Sequence, residues 1–381
     1  MKRGIAILFL AGFSSFLALG DRYVISTLYE GLMGQYHISS TVIFSIIFSS
    51  FYIGYTAFQI PGGRLSERYG PSKVSAISLI SWSLLFILLP SIKGFSIAVL
   101  LSFAIGLAQG PIFPSLIFIV RLLYRDEEYA RASGFVTAMG DLSPAVIPSL
   151  SFSLLFLASS LLIPFLFFGI LGIITGILLL FVKVDHQRPM GRPGFSSLVN
   201  RKFMVFGISF LIYDLFFYIL FTWYPYFLKE RFSLNSSSFL YGSVPWIIMA
   251  AGSLLFGFLM DRVNRDSVLS IISYIVVVAS LMGISLLNNA RSFLLLMTLS
   301  LFFLNPILLS SWRLSTRLSG EARSSFVGGW MNFWGNVGGI LAPFISALML
   351  ERTGFSTTFL LSSLIPIAGI ACWLALRRWE G

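Results

Sequence analysis

Gly63-Arg64-Leu65-Ser66-Glu67-Arg68 closes one long apolar stretch, and Gly257-Phe258-Leu259-Met260-Asp261-Arg262 closes another. Both read glycine, three variable residues, an acid and an arginine, and they stand 194 positions apart. A second pair keeps nearly the same offset: Ala130-Arg131 and Ala322-Arg323 each open an apolar stretch, 192 positions apart. Two motif pairs with almost one spacing indicate a chain built from two homologous halves.

Composition says what those halves are made of. The 381 residues are 57% hydrophobic and 11% charged, with a mean hydropathy of +0.89, against roughly 25% charged residues in a soluble domain. A helix needs about 20 mostly apolar residues to span the hydrocarbon. The apolar runs have that length and lack the alternation of an outer-membrane barrel. Breaking the chain at its charged and Gly/Pro/Asn clusters predicts twelve spans, at about 4–32, 41–63, 73–91, 94–120, 132–157, 160–183, 203–228, 238–260, 267–287, 292–313, 324–349 and 355–376. The expected fold is an all-α membrane protein of twelve transmembrane helices in two pseudo-symmetric six-helix halves, 1–183 and 203–381, joined by a cytoplasmic connector at 184–202.

Charge placement bears on topology. Loops on the cytoplasmic side collect Lys and Arg. On the side predicted to hold both termini there are twenty basic residues and on the other five, and Arg22 completes the total of 26. Both termini are therefore expected in the cytoplasm of a multi-pass protein of the cell membrane. The net charge of +11 follows from topology and needs no nucleic-acid partner. The opening Met1-Lys2-Arg3 with Ala18-Leu19-Gly20 also has the look of a signal peptide, but the apolar run resumes after Arg22 and the helix count needs this segment. Cys372 is the single cysteine, so no disulfide framework exists. His37 and His186 fall at predicted loops and make no metal site.

Internal repeats in a membrane chain are the mark of secondary transporters, whose substrate site lies near the midplane where the repeats meet. The stretch Gly63–Lys73 resembles the loop signature of the major facilitator superfamily, with Glu67 where that signature has aspartate. Gly54-Tyr55-Thr56-Ala57-Phe58-Gln59-Ile60-Pro61-Gly62-Gly63 is similar to the second helix of its anion:cation symporter branch, which includes the sialin and vesicular glutamate transporters and bacterial sugar-acid permeases. Gly106-Leu107-Ala108-Gln109-Gly110-Pro111-Ile112-Phe113-Pro114 resembles the fourth-helix signature of that branch. Thr222-Trp223-Tyr224-Pro225 and Asn332-Phe333-Trp334-Gly335-Asn336-Val337-Gly338-Gly339-Ile340 resemble its seventh and eleventh helices. The resemblance covers nearly the whole chain. It implies a secondary active transporter of a small organic anion, a carboxylate or sugar acid, coupled to protons and working by alternating access.

An ionisable residue inside a membrane span is by default a functional-site hypothesis, since a charge at the bilayer centre costs about 2.5–3.5 kcal/mol or more. Arg22 lies midway along the first span, where the resemblance places a substrate-anion contact, and its guanidinium offers a planar fork suited to a carboxylate. The alternative is a structural ion pair with Asp21 or another buried acid. Adjacent helical residues point about 100° apart, so Asp21 and Arg22 are not expected to face each other directly. Asp21 matches an acidic position that takes part in proton coupling in sugar-acid permeases of the branch. A carboxyl there would change protonation as substrate reaches the arginine; it would otherwise only orient Arg22.

The fourth-helix signature of the branch carries an arginine and a glutamate where this chain has Ser102 and Gln109. Glutamine does not titrate, so coupling is left to Asp21, Asp141 or Asp214, the last two having equally plain structural readings as a kink cap and a partner for a tyrosine. Tyr55 and Gln59 share one helix face, as do Asn332 and Asn336, and each pair offers hydroxyl or amide groups to a hydroxylated anion. With Gln109, Tyr218 and Trp312 they complete the substrate-binding candidates; helix packing explains any single aromatic equally well. Gly63, Glu67, Arg68, Arg121, Asp261 and Arg262 form the gating candidates, a cytoplasmic charge latch with a copy in the second half. No nucleotide-binding loop, metal cluster or catalytic triad is present in the sequence, so neither an enzyme nor an ATP-driven pump is expected, and no cofactor. The expected partners are a small organic anion, protons and the lipid bilayer, with the protein a monomer. The rivals are an exporter or uniporter of cationic or amphipathic drugs, which Arg22 opposes, and a non-transporting receptor, for which no tail or extra domain speaks.

Overall fold

Within lipid, every backbone N–H and C=O must be satisfied by the chain itself, which leaves helices as the means for these apolar runs to cross. The computed structural model describes residues 2–124, 126–184, 200–232, 236–262, 265–287, 289–319 and 324–379. Side chains are described over the same segments except at 2–3, 67, 126–131, 225, 229–232, 236–241, 258, 261–262, 316, 319, 324–326 and 328.

Ten stretches of the described residues are long and apolar enough to cross a membrane. One of them, Gly329–Trp379, has 51 residues, about 76 Å as helix against a hydrocarbon core of about 30 Å. The chain breaks inside it at Gly354, whose φ of 74° suits glycine, so it supplies two crossings. Gly242–Gly257 is a shorter apolar helix. The twelve crossings predicted from the sequence are thereby accounted for. The chain divides into two compact units, Met1–Met190 with Asn235–Leu240, and Gly191–Leu234 with Tyr241–Gly381.

In the first unit, α1 (Lys2–Thr27) ends at Leu28, and a separate short helix, α2 (Tyr29–Gln35), follows. The single span expected over 4–32 is thus interrupted. Gln35 donates to the carbonyls of Pro90 and, at 2.7 Å, Ile92, and Tyr36 donates to Leu89 O at 2.9 Å, which ties this break to the turn after the third crossing. α3 (Thr41–Tyr69) starts at Ser40, whose hydroxyl accepts from the Ile43 N–H at 3.2 Å; such a cap stabilises a helix start by about 1 kcal/mol. α4 (Pro71–Leu88) opens on a proline, which has no N–H to leave unsatisfied. The fourth crossing is α5 (Phe95–Gln109) and α6 (Ile112–Leu123), broken at Gly110-Pro111. The fifth is α7 (Asp126–Asp141) and α8 (Ser143–Ala158), broken at Leu142, and the sixth is α9 (Leu162–Leu180). α1 packs on α7 and α8, α3 on α5, and α4 on α9.

In the second unit, α10 (Arg201–Phe232), α11 (Ser236–Arg262), α12 (Asp266–Leu286), α13 (Ala290–Ser319), α14 (Ser324–Ser362) and α15 (Leu364–Leu376) follow the same plan. α10 packs on α14 as α1 packs on the fifth crossing, and α12 packs on α15 as α4 packs on α9. Two indoles bind α10 to α14 along its length: Trp330 Nε1 donates to Phe203 O at 2.9 Å and Trp223 Nε1 to Pro343 O at 3.3 Å. The eighth and tenth crossings join at Asn305 of α13, which donates to Met249 O at 2.9 Å and accepts from Ser253 Oγ at 2.6 Å. Internal pairing therefore repeats between the units as the sequence motifs do.

Candidate functional site

The site of the first unit begins with a contact of backbones. A Cβ added at Gly54 of α3 would run into Phe103 O of α5, and one at Gly106 of α5 would run into Phe51 O of α3. Only glycine lets the two helices come so near. The consequence is positional: residues 51–55 of α3 and the end of α5 occupy one neighbourhood. α5 stops at Gln109, because Pro111 has no N–H to continue the ladder. Ser78 of α4 donates to Ala108 O at 2.5 Å, holding that last turn in place. The side chain of Gln109 is thus delivered to α1 at the level of Asp21 and Arg22.

Asp21 and Arg22 are 4% and 3% exposed, and Gln109 is fully buried. The arginine Nη2 donates to Gln109 Oε1 at 2.9 Å, and Gln109 Nε2 donates to Asp21 Oδ2 at 2.9 Å. The other carboxylate oxygen, Asp21 Oδ1, accepts from the backbone N–H of Arg22 at 2.7 Å. One amide therefore stands between the acid and the base, accepting from one and donating to the other. This orientation is dictated by chemistry, since a guanidinium has donors alone and an ionised carboxylate acceptors alone. Around the guanidinium, Tyr52 Oη accepts from Nη1 at 3.5 Å, and its carbon lies 4.7, 5.1 and 5.1 Å from the ring centres of Phe51, Tyr52 and Tyr55. Desolvated cation–π contacts of this kind contribute about 2 kcal/mol. They hold a positive charge in a dry place without neutralising it. Such a centre is suited to gripping an anion.

The remaining sequence candidates fall as follows. Tyr55 belongs to the arginine's aromatic sleeve, and Gln59 is buried one turn further along α3. Asp141 is buried at the last residue of α7, beside the break between α7 and α8. Ser102, at the position of the branch arginine, is buried with its hydroxyl unpartnered. In the second unit, Asn336 and Tyr218 are buried, Asn332 and Asp214 half-buried, and Trp312 exposed. Asp214 of α10 lies against Gly335 of α14, where a Cβ would meet its carboxylate. Of the gating candidates, Gly63 is half-buried, Arg121 and Arg68 are exposed, and Arg68 lies 5.1 Å over the ring of Tyr69. The side chains of Glu67, Asp261 and Arg262 lie outside the described residues.

Three features escaped the sequence reading. Tyr52 and Phe51 touch the arginine; Tyr52 is one helical turn before Tyr55 on the same face, a signal lost among many aromatics. The third is an ion cluster in the second unit. Asp266, in the first turn of α12 and fully buried, meets Arg317 Nη1 at 3.0 Å and Arg313 Nη1 at 3.3 Å, both on α13. An acid directly after Arg265, at a predicted helix start, was the available sign. Among the described residues no group of three or more His, Cys, Asp or Glu is placed to hold a metal.

Comparison with known proteins agrees with this architecture. The profile of the family described as Major Facilitator Superfamily matches residues 11–343. The hexuronate transporter of Bacillus subtilis is 26% identical, over 94% of this chain and 90% of its own. The D-galactonate transporter of Escherichia coli O6:H1 is 23% identical, over 87% of this chain and 85% of its own. Among solved structures, a bacterial homologue of the human lysosomal transporter Spinster, inward-facing and occupied, superposes with a TM-score of 0.83 at 14% identity, covering 99% of this chain and 97% of that one. The chain belongs to the Major Facilitator Superfamily, and it is a membrane transporter, not an enzyme.

Proposed function

We propose that this member of the superfamily carries a small organic anion, a carboxylate of the sugar-acid type, across the cell membrane by alternating access and moves protons with it. The observation that carries the reading is the state of Arg22: buried, wrapped in aromatic rings, and bonded at Nη2 to a neutral amide. A substrate carboxylate would replace a neutral acceptor by an ionised one, and charge-assisted hydrogen bonds are roughly twice as strong as neutral ones. Relatives named for hexuronate and D-galactonate support the substrate class. Asp21 is the proton-coupling residue in this reading, because Gln109 cannot titrate and Asp21 is bonded to it directly. Tyr55 and Gln59 present polar groups on the same helix as the sleeve. The count of twenty basic residues against five supports cytoplasmic termini.

The test is uptake of labelled D-glucuronate by proteoliposomes, with and without an inward proton gradient. Uptake stimulated by the gradient and lost in Arg22→Ala, with the variant still inserted, is the expected result. Uptake indifferent to the gradient removes the coupling, and wild-type uptake by Arg22→Ala removes the site.

A further inference from the structure

We infer that the site takes anions carrying a single carboxylate and rejects dianions of the same skeleton, and that Ser102 sets this limit. The inference rests on the anion reading above and names the substrate more closely within it. Sugar acids come in two charge classes: uronates and aldonates have one carboxylate, and aldarates have one at each end.

The first observation is a count of cations. Of the 26 basic residues, Arg22 alone lies midway along a predicted span; the others fall at loops and span ends. Among the described residues Arg22 is also the only buried basic side chain of either unit. Buried acids are more numerous, with Asp21 and Asp141 in the first unit and Asp266 in the second. One carboxylate of a substrate meets the guanidinium. A second, carried into the span with it, has no cation of its own, and the acids of the first unit repel it. An uncompensated carboxylate in a membrane span is costly enough to weaken binding by about 100-fold.

The second observation is what surrounds the guanidinium. Its carbon lies over the rings of Phe51, Tyr52 and Tyr55. The face of an aromatic ring is its negative side, so a sleeve that favours one cation disfavours a second anion beside it. Gln109 is neutral and offers that anion no charge.

The third is the direction left to the rest of the substrate. Beyond Gln109, α3 closes on the chain: a Cβ at Gly62 would strike Pro111, and one at Gly110 would strike Tyr55 O. The other way along α5 lies Ser102, two turns and about 10 Å before Gln109 on nearly the same face. It is 1% exposed, and its hydroxyl has no hydrogen-bond partner. A buried hydroxyl without a partner is unfavourable, and a ligand that brings a hydroxyl or carbonyl oxygen relieves it. The uncharged end of a uronate supplies either. A carboxylate placed there finds one neutral hydrogen bond where it needs a cation.

The experiment measures binding of three ligands to the full-length protein in lipid nanodiscs at neutral pH, where every carboxylate is ionised. They are D-glucuronate, D-glucarate, and the monoamide of D-glucarate that keeps the carboxylate of D-glucuronate. D-Glucuronate and the monoamide are expected to bind within about fivefold of each other, and D-glucarate at least about 100-fold more weakly. Ser102→Arg puts a cation at the far end and is expected to strengthen D-glucarate by at least about tenfold relative to D-glucuronate. Ser102→Lys, which carries its charge on a slimmer side chain, is run alongside in case the arginine variant does not insert. D-Glucarate bound as tightly as D-glucuronate overturns the charge limit and leaves the anion reading intact. A monoamide as weak as D-glucarate overturns it too, because the skeleton and not the charge then decides. Inserted Ser102 variants that gain nothing for D-glucarate overturn the role of Ser102. Absence of binding by all three removes the sugar-acid reading, and this inference with it.

Discussion

The two units each bury an acid that answers to arginine, and they do it in opposite ways. In the first, Asp21 and Arg22 are chain neighbours at mid-helix, both buried, and the amide of Gln109 stands between their side chains. In the second, Asp266 sits in the first turn of α12 and meets two arginines directly, at 3.0 and 3.3 Å, whose side chains remain 33% and 24% exposed. A direct pair sets charge against charge, and the start of a helix adds favourable dipole for the carboxylate. It is a tie between α12 and α13. In the amide-bridged pair one bond of each charge runs to the neutral Gln109, an acceptor or donor weaker than an ionised partner, which suits exchange with a ligand.

Arg22→Ala is the change that separates the two regions most sharply. It leaves Asp21 buried without its counter-charge and removes the anion's partner. Truncating one member of a buried charged pair costs about 2–5 kcal/mol, so D-glucuronate uptake is expected to fall by at least about 30-fold. Arg22→Lys keeps the charge and loses the planar fork; a fall of roughly 10-fold or more is expected. If the lysine variant transports like wild type, the geometry of the fork is irrelevant and the contrast drawn here is one of charge alone.

Next in size is the scaffold beneath the bridge. Gly106→Val puts a branched side chain where Phe51 O already stands. Overpacking of this kind costs about 1–3 kcal/mol, and here it also moves Gln109 away from Arg22. Both Tm and uptake are expected to drop. Gly134→Ala is the control, since a Cβ there meets nothing within 4 Å. Equal effects of the two substitutions would show that the close approach of α3 and α5 does not position the site.

Much of this architecture is written in the chain, because in lipid the apolar run and the charged loop are separate signals. The twelve crossings follow from that alternation. What stayed hidden is how crossings are divided. The helical ladder is interrupted at Gly110-Pro111 and at Leu142, the residue before Ser143-Pro144, while the backbone of all three residues stays right-handed helical. The break at Leu28 carries no glycine or proline to announce it, and depends on contacts of Gln35 and Tyr36 with a turn more than 50 residues away. The site divides similarly. Arg22 and Gln109 were each conspicuous, one as a charge in an apolar run and the other as a departure from a signature. Their bond joins residues 87 positions apart and exists because Gly54 and Gly106 let two backbones touch, which no local pattern states. Asp266 was passed over for Asp261-Arg262, since the repeat motif drew attention to the loop and away from the helix start that follows it.

Asp266→Asn tests the other side of the comparison. It retains shape and removes the charge that two arginines share. With both arginines partly exposed, the loss is expected at about 1–2 kcal/mol, less than for a pair buried on both sides. Tm should fall by a few degrees while the KM for D-glucuronate stays within about twofold. A large change in KM would mean that this cluster belongs to the binding machinery and is no mere tie.

The smallest expected effect distinguishes the two arginines. Arg317 is nearer to Asp266 and makes a geometrically proper hydrogen bond at 3.0 Å, but it is the more exposed; Arg313 is less exposed and lies at 3.3 Å. Distance favours Arg317 and desolvation favours Arg313, so the two single pairs should be close in strength, each about 0.5–1 kcal/mol. Since both compete for one carboxylate, removing either should strengthen the other. Double-mutant cycles with Asp266→Asn, read by thermal unfolding, should therefore give a larger coupling for Arg317 when Arg313 is already alanine than when it is present. Rising salt should shrink both couplings, because each arginine faces solvent. Couplings that simply add, and that ignore salt, would place Asp266 in a drier and more divided environment than the exposures of its partners imply, and the contrast with the amide-bridged pair would rest on depth alone.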